Sequence, residues 1–167
     1  MRVECGKKTE ARVSPKRGGA ARRRTVGAAA LVFAISAGVA AQNAPATTVS
    51  SVWGGAFTDE QAKRGEAVST KLCTSCHGPD LSGGEAGPSL VGIEFLGNWN
   101  NLTVADFYDR VQATMPADAP GTLTPQQTSD VAAYVFKLNK FPAGKSELPT
   151  ELAALKGIKI EGTQPGK

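Results

Sequence analysis

Apolar residues recur at helical spacing in three stretches of the chain, and each stretch begins with a threonine. Thr58, Thr103 and Thr124 can each accept a hydrogen bond from a backbone amide in the first helical turn. No strand pattern competes with these stretches, so the sequence predicts an all-α fold with three main helices. The repeating positions are Ala62, Gly65, Val68 or Ser69, and Leu72 in the first stretch, Val104, Phe107, Tyr108 and Val111 in the second, and Val131, Tyr134, Val135 and Leu138 in the third.

The segment between the first two predicted helices, residues 77–101, contains six glycines and two prolines. This density of helix-breaking residues predicts long loops. Three short helices bury only a small apolar core, so a domain of roughly 85 residues is marginally stable on burial alone. The sequence therefore predicts that a bound group fills part of the centre.

The N-terminal 41 residues have the pattern of a secretory signal peptide. Three arginines, at positions 22–24, precede an uncharged apolar run over 26–41 that ends in small residues. We expect cleavage after Ala41, with Ala44 as the alternative. An uncleaved anchor is the competing interpretation, but 16 mostly small residues are short for a span that needs ~20. Residues 42–57 carry no charge and are rich in small residues, which predicts a flexible lead-in.

The formal net charge of +4 depends on that N-terminal segment. Residues 1–41 hold nine of the 19 basic residues and only two acidic ones. The other 126 residues hold 10 basic and 13 acidic residues, a net charge of −3. A slightly acidic exported chain does not favour nucleic acid as a partner.

The sequence Cys73-Thr74-Ser75-Cys76-His77 carries the most specific chemistry in the chain. Two thiols three positions apart can add to the two vinyl groups of one haem, and the adjacent histidine then lies beneath the iron. A disulfide redox motif would follow a thioredoxin-like strand, whereas a capped helix precedes this one. A zinc site would need two further Cys or His ligands, and a plain disulfide leaves His77 without a role.

Met115 is the candidate for the sixth iron ligand. It is the only methionine besides Met1, and His77 is the only histidine. A haem iron held by a proximal histidine often takes a methionine on the other side in electron carriers. Met115 stands at the predicted end of the second helix, where Pro116 prevents the helix from continuing. A core-filling methionine is the ordinary alternative, and Lys137 or Lys140 is an alternative ligand.

Residues 58–141 resemble the class I c-type cytochromes. Cys73, Cys76 and His77 match the attachment motif, and Met115-Pro116 matches the distal Met-Pro element. Residues 87–90, Gly-Pro-Ser-Leu, match a family element in which the carbonyl of the proline, here Pro88, accepts the proximal histidine's ring N–H. Gly65 and Tyr134 match the positions where the first and last helices cross. The resemblance implies a cytochrome c fold of three main helices and long loops around one covalent haem c.

Trp99 is a further cofactor-binding candidate in the predicted loop over the haem's propionate edge. Its ring N–H can satisfy a propionate, or the ring can cap the core. The run from Met115 to residues 141–142 also resembles small monohaem cytochromes associated with quinoprotein dehydrogenases. Residues 142–167 form a C-terminal extension that the haem domain does not explain; it wraps the domain or docks a partner.

These observations predict a periplasmic single-electron carrier with one haem ligated by His77 and Met115. With both axial positions filled no site is open to oxygen or peroxide, so enzymatic activity is not expected. The partners would be a redox donor and acceptor, such as a quinoprotein dehydrogenase and a terminal oxidase, with no stable membrane span. The alternatives are a haem subunit of a dehydrogenase or oxidase complex, and a haem enzyme or gas sensor with an open sixth position.

Overall fold

The helix caps in this computed structural model, which describes residues 49–166, are those that the sequence predicts. The Thr58 hydroxyl accepts a hydrogen bond from the Gln61 backbone N–H at 3.1 Å. Thr103 and Thr124 each form a capping box, in which the side chain three residues later accepts from the threonine backbone N–H. The six helices are α1 (Asp59–Leu72), α2 (Thr74–His77), α3 (Gly92–Trp99), α4 (Val104–Thr114), α5 (Pro125–Leu138) and α6 (Leu152–Leu155), preceded by a 3₁₀ turn at Val52–Gly54.

Helices dominate the described residues, and only two isolated β-bridges occur there, Ser51 with Lys159 and Thr103 with Lys159. The predicted all-α class is therefore confirmed. The predicted signal peptide over 1–41, and residues 42–48 of the lead-in, lie outside the described residues. Within residues 49–166, no helix reaches the length and apolarity that crossing a bilayer requires.

Helices α1 and α5 cross at Gly65, as the sequence predicts. A Cβ built on Gly65 would overlap the backbone carbonyl of Asp130 and lie 2.9 Å from the Tyr134 Cβ. Only a residue without a side chain allows the two backbones to approach so closely. This crossing fixes the end of α1 relative to α5, and the end of α1 carries the cysteine motif.

Helix α3 lies in the segment that the sequence assigns entirely to loops, so that prediction is wrong for Gly92–Trp99. Phe95 is fully buried there and packs edge-on against Phe107 of α4, with ring centroids 5.6 Å apart. It also meets Phe136 of α5 at 6.4 Å. Because packing of an apolar face supplies most of a helix's stability, one buried aromatic residue outweighs the two glycines of this helix.

Residues 49–57 are ordered on the domain, so the flexible lead-in is wrong over that range. Val52 and Phe57 are fully buried, and the Trp53 ring packs edge-on against Phe141 at 5.0 Å. The Trp53 Nε1–H donates to the Glu161 carbonyl at 2.8 Å. A segment without charge and rich in small residues suggests a flexible lead-in. Three of its residues, however, have large apolar side chains, and burying them stabilises the ordered segment.

The C-terminal extension wraps the domain over residues 142–166. Four of its apolar side chains are buried: Leu148, Leu155, Ile158 and Ile160. The buried Gln61 amide of α1 holds it, accepting from the Leu148 backbone N–H at 2.7 Å and donating to the Leu148 carbonyl at 3.0 Å. Arg64, on the same helix, bonds both Asp130 of α5 and Glu147 of the extension. The sequence leaves open whether this extension wraps the domain or docks a partner, and the structure shows that it packs around the domain.

Candidate functional site

A cavity of about 460 Å³ lies between the end of α1, helix α2, the loop at residues 86–90, and helices α3, α4 and α5. All six predicted site residues line it: Cys73, Cys76, His77, Pro88, Trp99 and Met115. Its walls are otherwise mostly apolar, and Arg110 and Asp118 are its only charged lining residues among those described. A mainly apolar pocket with a few convergent polar groups is the usual form of a cofactor site.

The two cysteines lie on consecutive turns of backbone where α1 passes into α2. The Cys73 N–H donates to the Ser69 carbonyl at 2.8 Å and ends α1, while its own carbonyl accepts from the His77 N–H at 2.9 Å and begins α2. Both thiols are free and half-buried, so they form no disulfide with each other. Burial raises the pKa of the Cys73 thiol, with Cys76 adding to the effect. A raised thiol pKa is the opposite of what a thiol–disulfide oxidoreductase requires.

His77 is buried, and its ring is fixed by the backbone of the following loop. Its Nδ1 lies 2.7 Å from the Pro88 carbonyl oxygen. A carbonyl can only accept, so Nδ1 carries the hydrogen and Nε2 keeps the lone pair with which a histidine binds a metal. This is the contact that the family resemblance implies.

Gly87 sets the distance between that loop and the histidine ring. A Cβ on Gly87 would lie 3.0 Å from the His77 Nδ1 and 3.1 Å from the Cys76 carbonyl oxygen. Contacts this short would push the ring away from Pro88, so the glycine allows the hydrogen bond to form. The loop itself is held by Asn139, which follows directly after α5. Its side-chain amide donates to the Leu90 carbonyl and accepts from the Gly92 N–H, both at 2.9 Å.

Met115 follows directly after α4 and is half-buried. Its N–H donates to the Val111 carbonyl at 3.0 Å, and its own backbone is extended. The buried Pro116 comes next and stops the helix. The chain direction therefore changes at the residue that the sequence identifies as the distal ligand, and its side chain lines the same cavity as His77.

The loop from Met115 to Thr124 is closed by side chains of the two helices that it connects. The Gln112 Nε2 donates to the Leu123 carbonyl at 2.7 Å. The Gln112 Oε1 accepts from the Thr128 hydroxyl, also at 2.7 Å, and Thr128 is fully buried. Leu123 lines the cavity with Met115, so this pair of bonds joins both ends of the loop at the cavity wall.

Trp99 is predicted either to bind a haem propionate or to cap the core, and its position is compatible with both. Its ring packs edge-on against Phe107 at 4.9 Å and so covers the core, and it also lines the cavity. The two lysines considered as alternative ligands do not line the cavity. Lys137 instead pairs with Asp59 at 2.7 Å, which raises the pKa of the lysine.

Sequence reasoning missed the residues that hold the site's loops in place. Gln112, Thr128 and Asn139 contact backbone or one another rather than a bound group, and no motif marks such positions. Arg110, an exposed residue whose side chain reaches the cavity, was also missed. Gln112 and Thr128 face each other only because α4 and α5 pack side by side, which the sequence does not show.

The donors on these walls fit a haem. Two free thiols, one oriented imidazole and one thioether line a single cavity with apolar walls, and these are the groups that attach and ligate c-type haem iron. Residues 49–166 contain no group of three or more His, Cys, Asp or Glu side chains that could hold a metal ion by themselves.

Comparison with known families agrees with this chemistry. Residues 60–135 match the model of the family described as cytochrome c oxidase, cbb3-type, subunit III. Among solved structures, the sulfane dehydrogenase SoxCD from Paracoccus pantotrophus aligns with 48% of the chain at 24% identity and a TM-score of 0.45. The chain spans 44% of that SoxCD chain. No curated protein gives a significant match.

Proposed function

We infer, because residues 60–135 match the model of a c-type cytochrome domain family, that this chain is a single-electron carrier with one covalently attached haem. Haem-based electron transfer is the activity of such a domain. The observation that supports the more specific proposal is that His77 and Met115 line the same cavity as Cys73 and Cys76. When bound, the haem supplies the iron that alternates between Fe(II) and Fe(III).

Cys73 and Cys76 would hold the haem covalently. Each thiol forms a thioether by bonding its sulfur to one vinyl carbon while its hydrogen passes to the other carbon of that vinyl group. The helical turn from Cys73 to His77 places the two sulfurs and the imidazole on one short segment. A single such motif in the chain corresponds to one haem.

His77 and Met115 would be the axial ligands. The hydrogen bond from His77 Nδ1 to the Pro88 carbonyl leaves Nε2 free to bind the iron and would make the imidazole a stronger donor. Met115 supplies a soft, neutral thioether, which favours Fe(II) and raises the reduction potential. With both positions occupied in either oxidation state, the protein would exchange electrons rather than ligands, which supports a carrier rather than an enzyme.

The apolar cavity wall supports electron transfer as well. Leu90 lines the cavity together with Val131, Val135 and Phe107. The two valines and the phenylalanine are buried. Such a wall keeps water away from the iron, and a low-dielectric surrounding disfavours the net charge of the ferric form. Both effects would raise the reduction potential, as the thioether of Met115 would.

The proposed location is the periplasm, with cleavage near Ala41. The support is the arginine-led apolar run over residues 22–41. The proposed partners are one redox protein that donates and one that accepts an electron, such as a quinoprotein dehydrogenase and a terminal oxidase. After cleavage the net charge of −3 leaves no basic surface excess for nucleic acid.

The test is the spectrum of the purified holoprotein together with its reaction with carbon monoxide. The ferric protein should show the sulfur-to-iron charge-transfer band, and the pigment should remain on the polypeptide after acid-acetone extraction. The reduced protein should not bind carbon monoxide. Rapid carbon monoxide binding would instead support a haem enzyme or gas sensor with an open sixth position.

A second candidate is a haem subunit fixed in an oxidase complex. The family name favours it, since the matching model describes a subunit of a cbb3-type oxidase. The two functions differ in how the protein purifies. A free carrier is released from the periplasm as a separate protein, whereas a subunit co-purifies with its complex in stoichiometric amounts.

A further inference from the structure

The ten-residue loop from Met115 to Thr124 has to hold its methionine at a fixed place, although most of its residues are exposed. It contains two internal bonds, from the Ala119 N–H to the Pro116 carbonyl at 2.9 Å and from the Thr122 hydroxyl to the Ala119 carbonyl at 2.8 Å. Both bonds shape the middle of the loop. Neither one connects the loop to the body of the domain.

The connection to the domain runs through Gln112. This residue lies one turn before Met115 on α4, and its Nε2 donates to the carbonyl of Leu123, at the far end of the loop. Its Oε1 accepts from the Thr128 hydroxyl, which fixes the amide so that the NH₂ group, rather than the oxygen, faces Leu123. Thr128 itself is fully buried between the helices and cannot move away.

We propose that Gln112, oriented by Thr128, is a positioning residue that keeps Met115 at the sixth coordination position by closing the loop across its base. The proposal rests on the proposed function, in which Met115 is the axial ligand. Without the bond to Leu123, the loop is held only by its two chain ends and by its buried Pro116 and Leu123 side chains, and the methionine would leave the iron more often. Groups that bond a metal ligand directly typically change metal affinity by about 10–100-fold when they are removed, so we expect the lower end of that range for Gln112, which acts through the loop.

The experiment measures how easily an added ligand displaces the methionine. Imidazole is titrated into the ferric holoprotein, and its dissociation constant is read from the loss of the charge-transfer band. Gln112→Glu keeps the acceptor for Thr128 and loses the donor to Leu123, while Gln112→Leu loses both without adding charge. Both variants should bind imidazole about tenfold more tightly than the wild type, with a weaker band.

Thr128 provides the second arm of the test. Thr128→Val removes the hydroxyl that orients Gln112 and should tighten imidazole binding to a smaller extent. Thr128→Ser keeps the hydroxyl and should restore the wild-type constant. If the Gln112 variants do not fold, this pair decides the question, because equal constants for the two variants would overturn the proposal.

Tyr108→Phe is the matched control. The Tyr108 hydroxyl donates to the Pro125 carbonyl at 3.1 Å, so it also joins α4 to α5, one turn before Gln112, but its partner lies in α5 and not in the loop. This variant should lower the melting temperature and leave imidazole binding unchanged. If it tightens binding as much as the Gln112 variants do, general loosening explains the effect and the proposal is wrong. A wild-type protein without the charge-transfer band would instead disprove methionine ligation itself.

Discussion

His77 depends on a neighbour that has no side chain. The ring lies between the Pro88 carbonyl, to which it donates, and the space that a Cβ on Gly87 would occupy. The basicity of the imidazole and its direction toward the cavity are therefore set by backbone atoms. A substitution that adds a single methyl group can change both.

Gly87→Ala should weaken the proximal bond. The new Cβ would lie 3.0 Å from Nδ1, so the ring or the loop has to move, at a cost of about 1–3 kcal/mol. Loss of the bond to Pro88 makes the imidazole a weaker donor, so the reduction potential should rise. Gly157→Ala is the control, because its Cβ meets nothing closer than 3.6 Å. An unchanged potential in Gly87→Ala would show that the ring tolerates the added carbon.

Met115→Ala should convert the carrier into a protein with an open iron. The thioether is lost, and no lysine within residues 49–166 lines the cavity to replace it. We expect the charge-transfer band to disappear, the potential to fall and the reduced protein to bind carbon monoxide. The helical content should remain, since Cys73, Cys76 and His77 still hold the haem. An unchanged spectrum would mean that another group ligates the iron.

At the scale of the helices, each of the three helices predicted from the sequence begins directly after its predicted threonine cap. The first and last of them cross at Gly65, as the sequence predicts. These features are local, or follow from one small residue facing another helix. Helix α3 was missed because its evidence is not local. Its glycines indicate a loop, while the burial of Phe95 against two other helices depends on a packing that only the folded chain contains.

The same division applies to the site. The cysteines and the histidine can be predicted from their spacing, the methionine from its uniqueness and the proline that follows it, and the Pro88 contact from the family resemblance. Gln112 and Asn139 could not, because each binds a backbone carbonyl that is distant in sequence, and any polar residue can do so. The residues with site chemistry, and Pro88 beside them, belong to motifs, whereas Gln112 and Asn139 belong to none.

Gly65→Ala should disrupt the crossing of α1 and α5. The added Cβ would overlap the Asp130 carbonyl, so the helices have to separate, at a cost of about 1–3 kcal/mol. The melting temperature of the holoprotein should fall accordingly. Gly97→Ala is the helical control with open space around its Cβ, and it should be neutral or slightly stabilising. A neutral Gly65→Ala would mean that the helices do not approach as closely as described.

At the scale of the whole molecule, the haem domain is held between segments that lie outside its sequence motifs. Residues 49–57 and the extension after residue 142 bury apolar side chains of their own, and they touch each other through Trp53 and Glu161. The domain is therefore larger than the stretch that resembles a cytochrome. The three predicted helices alone would bury only a small core, and these two segments add apolar side chains to it.

Leu155→Ala tests this contribution. The side chain is fully buried, so its truncation should destabilise the holoprotein by about 2–5 kcal/mol in chemical denaturation. Leu152→Ala, on the same short helix but 41% exposed, should change stability by about 0.5 kcal/mol or less. Equal effects of the two substitutions would mean that the extension contributes no core.

The exported form should begin at Gln42 and carry one haem. Its intact mass would show residues 1–41 removed and a single haem added. Its isoelectric point should be acidic, since nine basic residues leave with the signal peptide. Finding the three arginines at positions 22–24 in the periplasmic protein would contradict both the location and the charge.

The pairing of Ser51 with Lys159 brings the two ends of the described chain close together. The Val52 N–H donates to the Lys159 carbonyl, and the Lys159 N–H to the Ser50 carbonyl, both at 2.9 Å. Val49 and Pro165 also line one small hollow, so the two ends of the described chain are neighbours. A short linker would join them with little loss of loop entropy. A circular permutant opened at an exposed surface turn should keep the residues around the cavity in place, so the domain could be inserted into another protein at that point.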